Sequence, residues 1–139
     1  MGKVNNIFNY QLALCVLFTV ACNSDVSIKK NLISGSDYKL WQEVKDAKKS
    51  KGSSIIYWYF DREGKFKLYV KYKNANKIVN LDLGDVVLTE KWGVINKNKI
   101  EIGGKLFKVY QLNDTCFSFT DTTSNNQVIK LIYRNDKLP

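Results

Sequence analysis

The sequence predicts an all-β fold: an antiparallel up-and-down meander of about eight or nine short strands that closes into a small β-barrel. Three observations support this prediction. From residue 38 onward apolar and polar residues alternate with the period of a β-strand, turn residues interrupt the alternation at short intervals, and the only proline is Pro139. Connections this short cannot make a crossover, so consecutive strands must pair antiparallel. Closure into a barrel would then remove the two unpaired edges of the meander.

The first half of the meander contains a clear hairpin. Residues 66–73 place apolar side chains on one face and lysines on the other, and residues 55–60 are rich in β-branched and aromatic side chains. Between them, Gly64 supplies the left-handed residue of a turn. The predicted strands of this half span residues 38–44, 55–60, 66–73 and 78–83. Residues 41–49 have a weaker alternative interpretation as a helix.

The second half repeats the pattern. Turns are predicted at Asn96–Asn98, Gly103-Gly104, Asn113-Asp114 and residues 121–126. The predicted strands span residues 86–95, 100–102, 106–112, 116–120 and 128–133. Within them, Trp92 is expected in the barrel interior and Cys116 as a small buried apolar residue.

The N-terminal segment predicts export. The apolar stretch from about residue 7 to residue 21 is shorter than the roughly 20 residues of a membrane-spanning helix. It follows Lys3 and ends in small residues before Cys22, which is the pattern of a signal peptide. We therefore predict a signal peptide over residues 1–21, a polar tether over 22–37 and the barrel domain over 38–139.

The junction at Ala21-Cys22, followed by Asn23-Ser24-Asp25, resembles the lipobox of bacterial lipoproteins, although Thr19 stands where Leu is usual. The resemblance implies lipidation of Cys22, with palmitate as an expected acyl chain. It also implies a membrane-anchored protein of the bacterial cell envelope, expected at the outer membrane. Plain secretion and an uncleaved anchor stay open as alternatives. Without acylation, a disulfide between Cys22 and Cys116 becomes possible.

Residues 38–134 resemble the lipocalin-like domains of small bacterial lipoproteins. The resemblance rests on Trp41 in the first strand, the hairpin over residues 59–66, and the tryptophan strand and hairpin over residues 91–102. It implies a lipocalin-like barrel in the cell envelope and no particular reaction. In true lipocalins a Gly-x-Trp motif begins the first strand, whereas here Gly35 stands six residues before Trp41.

Charge and composition argue against two function classes. The net charge is +9, but the basic residues are lysines except for Arg62 and Arg134 and are spread along the chain. This predicts a solvated basic surface and no nucleic-acid partner. The chain has no histidine, and its carboxylate pairs lie at turns. We therefore predict no enzyme, no cofactor and no metal site, with a two-carboxylate hydrolase as the weakest open class.

Two binding functions remain. The preferred one is a barrel that binds a small apolar ligand or a partner protein. The alternative is a surface module that recognises carbohydrate through exposed aromatic and lysine side chains. The candidate ligand-binding residues are Trp58, Tyr57, Tyr59 and Tyr69, of which the three tyrosines are expected on the outer face of the wall.

Overall fold

A computed structural model describes residues 23–33, 36–45, 54–81, 89–123, 127–135 and Leu138. In these ranges the protein has one α-helix and nine strands. The helix, α1, spans Asn23–Ile33. The strands are β1 Tyr38–Glu43, β2 Ser54–Asp61, β3 Phe66–Tyr72, β4 Ile78–Asn80, β5 Trp92–Asn96, β6 Lys99–Ile102, β7 Lys105–Leu112, β8 Cys116–Asp121 and β9 Val128–Tyr133. The predicted signal peptide, Cys22 and the predicted strand residues 82–83 and 86–88 lie outside the described residues.

The strands form one curled, barrel-like antiparallel sheet, which confirms the predicted all-β meander. Their order is β4-β3-β2-β1-β9-β8-β7-β6-β5, so the first and last strands pair with each other. The seam of the wall therefore lies between β4 and β5, in the middle of the chain. A bridge between Lys65 and Lys91 joins the two sides of the seam at the start of β3.

Strand register defines an inner and an outer face. Trp41 lies opposite Trp58, and Phe60 lies opposite Phe66. Side chains directly opposite each other share a face of the sheet, and these four are buried in one apolar cluster. Across the barrel, Phe117 and Leu131 are likewise paired and fully buried. The alternation read from the sequence is therefore the alternation between the inner and the outer face of the wall, although Leu40 and Tyr57 on the outer face are also buried.

The structure corrects the prediction of a polar tether over residues 22–37, because residues 23–33 form α1. Ile28, Leu32 and Ile33 are buried, and Leu32 is completely inaccessible to solvent. Ile28 and Leu32 are four positions apart and therefore lie on one helical face. An isolated helix of this length is marginal in water, so packing against the barrel stabilises it. The Trp41 indole Nε1 donates to the Leu32 carbonyl oxygen at 3.0 Å.

The turn between β2 and β3 follows the prediction. Gly64 has φ 89°, in the left-handed region that favours glycine. A Cβ at this position would lie 3.1 Å from the Trp92 carbonyl oxygen. The backbone of Trp92 approaches because its amide donates to the Gly64 carbonyl oxygen at 2.8 Å. Gly64 thus serves both the hairpin and the seam.

Two side-chain predictions have opposite outcomes. Trp92 is buried in the core cluster, which confirms its interior assignment. Cys116 is only half-buried, and its Sγ lies 3.8 Å from Gln111 Oε1. The prediction of a buried cysteine was wrong, because Cys116 is the first residue of β8 and its side chain stays partly exposed there, whereas Phe117 to Thr120 are buried.

Candidate functional site

The two ends of the barrel are occupied differently. Helix α1 packs at one end, where it contacts β1, β2, β5 and β7 and where Lys39, at the start of β1, donates to the Asn31 carbonyl oxygen. The opposite end holds a cavity of about 290 Å³ that opens to solvent. Its lining residues are Glu43, Trp58, Phe66, Leu68, Ile102, Lys105, Phe107, Asp121, Gln127 and Ile129.

The cavity has an apolar floor and a polar rim. The floor is the edge of the core cluster and includes Trp58, Phe66 and Phe107, all of them buried. The rim consists of side chains where strands end or begin at this end of the wall: Glu43 at the end of β1, Asp121 at the end of β8 and Lys105 at the start of β7. This division of apolar and polar groups is typical of small-molecule sites.

Glu43 is the rim residue most closely tied to the core. Its Oε2 accepts a hydrogen bond from the indole Nε1 of Trp58 at 3.0 Å. Trp58 needs such an acceptor because a buried indole N–H without a partner is costly. The bond therefore holds a half-buried carboxylate against the wall of the cavity.

The other charged rim residues are placed differently. Asp121 Oδ1 accepts hydrogen bonds from the backbone amide and the hydroxyl of Thr123, at 2.8 and 2.6 Å. This carboxylate therefore orders the turn that follows β8. The Lys105 side chain is exposed at the rim. The surface ion pairs Arg62–Asp37 and Lys67–Glu90 do not include any of the charged rim residues.

The helix-covered end contains a buried lysine. Lys39 Nζ donates to the backbone carbonyl oxygens of Asn31 and Asp114. It also lies 4.3 Å from the ring centroid of Trp41 and 4.5 Å from that of Tyr133. Burial lowers the pKa of Lys39 to about 8, and the negative charge of Asp114 opposes part of that shift. Lys39 thus ties α1 and the turn before β8 to the start of β1.

The structure separates the four predicted ligand residues. Trp58 lines the cavity, whereas the tyrosines lie on the outer face. Tyr57 is only 2% exposed, which corrects its expected place in an exposed patch. Tyr59 and Tyr69 are half-buried, and with Tyr38 they form a row: the Tyr38 and Tyr59 rings stack at 5.3 Å and the Tyr59 and Tyr69 rings meet edge to face at 6.0 Å. Burial first, and then the nearby Asp61 carboxylate, raise the pKa of Tyr59.

The site residues predicted from the sequence did not include Glu43, Lys105 or Asp121. A signal for Glu43 was present, because Lys39 and Glu43 stand in phase with Trp41 on the inward face of β1. A charged residue on the apolar face of a strand is the exception that marks a site or a buried network. No comparable local signal distinguishes Lys105 or Asp121 from ordinary residues at strand ends.

Comparisons with known proteins add no family. No protein-family model matches the chain, and searches of curated proteins and of solved structures found no match. The described part of the chain has no helix with the length and apolarity needed to cross a bilayer. The same ranges contain no group of three or more histidine, cysteine or carboxylate side chains arranged to hold a metal ion. The candidate site therefore rests on the geometry of the barrel mouth.

Proposed function

We propose that this protein is a lipocalin-like, lipid-anchored protein of the bacterial cell envelope whose barrel binds a small apolar ligand and catalyses no reaction. The cavity of about 290 Å³ is the observation that carries the proposal. Ligand pockets span roughly 300–1,000 Å³, and this cavity, at the lower limit of that range, suits a small molecule. A concave cavity of this size favours a ligand over a partner protein, which would need a broad surface.

In this cavity, apolar side chains would provide the affinity for a ligand and polar side chains would orient it. Burial of a ligand against Phe66, Leu68 and Ile129 removes apolar surface from water, which contributes about 25 cal/mol per Å². The few polar groups at the rim then fix how the ligand enters. A barrel of about eight strands has room for one small ligand.

A pair of adjacent substitutions tests the cavity. Ile129 lines the cavity, and the neighbouring Val128 is exposed on the outer face of β9. We expect the full chain to bind hexan-1-ol in isothermal titration calorimetry, Ile129→Trp to weaken binding at least about tenfold by filling the space, and Val128→Trp to leave it unchanged. Binding that survives Ile129→Trp, or no binding by the wild type, would refute the proposal.

The anchor is tested separately. The motivation is the junction at Ala21-Cys22, which lies outside the described residues. Metabolic labelling with palmitate should mark the wild type and Cys116→Ser, and it should not mark Cys22→Ser. Label that persists in Cys22→Ser would refute lipidation at this cysteine.

A second candidate function is carbohydrate binding on the outer face. The row of Tyr38, Tyr59 and Tyr69 favours it, because Tyr38 is 37% exposed and sugars pack on aromatic faces. Tyr38→Ala should then reduce retention on a polysaccharide column. The control is Tyr110→Ala, which removes an exposed tyrosine from β7. Equal retention of both variants would rule out this surface.

A further inference from the structure

The position of Glu43 bears on the chemistry of the ligand. Glu43 faces the barrel interior, because it is in phase with Trp41 on β1 and lines the cavity beside Trp58. The residue is half-buried. A carboxylate drawn out of water loses hydration free energy unless hydrogen bonds or a positive charge replace the lost water. Glu43 therefore favours a cavity occupant that supplies such a group.

The protein itself meets part of this requirement. The Trp58 indole has one N–H, which donates to Glu43 Oε2 at 3.0 Å. An ionised carboxylate has two oxygens with about four acceptor positions. The indole holds the carboxylate in place and leaves acceptor capacity at the cavity wall. A donor on a bound ligand can use that capacity at little cost in ordering, because the carboxylate is already positioned.

The other charged residues at the rim also favour a cationic ligand over an anionic one. Glu43 and Asp121 both line the cavity, and Lys105 is the basic residue among the lining groups. A bound anion would approach two carboxylates, and like charges in a partly desolvated site repel. A cation would approach one basic residue, and the Lys105 side chain extends to solvent at the rim.

We propose that the cavity binds a small amphiphilic amine, with its apolar chain on the floor of Phe66, Leu68 and Phe107 and its ammonium group donating to Glu43. The inference rests on the proposed ligand-binding function and names the class of ligand. It also assigns a specificity-determining role to Glu43, which ends a strand whose other inward residues, Lys39 and Trp41, are buried.

Three ligands of equal chain length test the proposal by titration calorimetry on the full chain: hexylammonium, hexan-1-ol and hexanoate. The ammonium group brings a full positive charge to the Glu43 carboxylate, whereas the hydroxyl of hexan-1-ol is neutral, so hexylammonium should bind at least about tenfold more tightly than hexan-1-ol. Hexanoate should bind more weakly than either. Glu43→Gln should bring hexylammonium and hexan-1-ol to equal affinity. Glu101→Gln, which changes a carboxylate between the buried Ile100 and Ile102 of β6, should keep the wild-type ratio.

The outcomes separate this inference from the function on which it rests. Equal binding of hexylammonium and hexan-1-ol by the wild type overturns the inference and leaves a general apolar pocket. Tighter binding of hexanoate overturns it in favour of anion binding by Lys105. A preference for hexylammonium that persists in Glu43→Gln overturns the role of Glu43. If none of the three ligands binds, the proposed function itself fails.

Discussion

The two ends of the barrel satisfy their tryptophans in different ways. Beneath α1, the indole N–H of Trp41 donates to the backbone carbonyl oxygen of Leu32 at 3.0 Å. At the seam, the indole N–H of Trp92 donates to the backbone carbonyl oxygen of Asp61, also at 3.0 Å. At the open end, the indole of Trp58 donates to the carboxylate of Glu43. A backbone acceptor ties the ring to the fold, whereas an ionisable side chain at a cavity wall can also bind something else. The difference identifies the open end as the candidate site.

Strand β1 shows the same contrast within a few residues. Lys39 and Glu43 flank Trp41 on the inward face of the strand. Lys39 is 3% exposed and surrounded by carbonyl oxygens and aromatic rings. Glu43 is half-buried beside open space. Lys39 also borders a smaller cavity of about 210 Å³, but carbonyl oxygens and aromatic rings of the protein surround its ammonium group, whereas Glu43 faces the larger cavity.

The largest expected effect is the loss of a tryptophan from the filled part of the barrel. Trp92→Ala removes a buried ring and its hydrogen bond, and it should lower the free energy of unfolding by about 3–5 kcal/mol. Tyr110→Ala, at an exposed position, should change it by less than about 0.5 kcal/mol. Urea unfolding measures both. A loss below about 1 kcal/mol for Trp92→Ala would show that this part of the core is not tightly packed.

The second-largest expected effect is the loss of stability when the contact between α1 and the barrel is weakened. Leu32 is fully buried, so Leu32→Ala should cost about 2–4 kcal/mol in urea unfolding. Lys29→Ala changes an exposed residue of the same helix and should be nearly neutral. If Leu32→Ala were also neutral, residues 23–33 would behave as the tether that their composition suggests, and the contrast between the ends would disappear.

The buried lysine predicts a pH dependence. The pKa of Lys39 is lowered from 10.5 to about 8, so between these pH values the unfolded chain binds more protons than the folded protein. The contribution of Lys39 to stability therefore rises from about pH 8 upward and is lost as the pH falls through that value. From about pH 7 to about pH 9.5, the free energy of unfolding of the wild type should rise relative to that of Lys39→Met.

Denaturant unfolding at both pH values checks this prediction. Comparison with Lys39→Met cancels the titration of groups common to both proteins, Tyr59 among them. Lys99→Met removes an exposed lysine and should differ from the wild type equally at both pH values. A pH-independent difference between the wild type and Lys39→Met would mean that the lysine is solvated.

The smallest expected effect is on stability at the open end. Glu43→Gln should change the free energy of unfolding by less than about 1 kcal/mol, because the side-chain oxygen of the introduced glutamine still accepts from the Trp58 indole. Trp58→Phe removes the donor. In a double-mutant cycle, Glu43→Gln should therefore have no effect on stability once Trp58→Phe is present. A loss of several kcal/mol in Glu43→Gln alone would make Glu43 a structural residue like Lys39.

Local patterns in the sequence were enough to predict the wall of the barrel. The alternation over residues 66–73 predicted the strand Phe66–Tyr72, and the turn at Gly64 predicted the hairpin. These features are local, because strand periodicity and turn chemistry depend on neighbouring residues. The same alternation placed Trp58 and Trp92 inside and Tyr59 outside. The alternation also placed Tyr57 on the outer face, but it did not predict that Tyr57 is buried there.

Tertiary packing decided how the two halves of the wall join, where the helix packs and where the cavity lies. The pairing of β1 with β9 joins residues about ninety positions apart in sequence, beyond the reach of any local pattern. Helix α1 has a polar composition and becomes stable through the contacts of Ile28, Leu32 and Ile33 with the barrel. Among the described residues, α1 packs at one end of the barrel, and inward side chains of the same strands line the larger cavity at the other end. Glu43 is part of the candidate site for that reason.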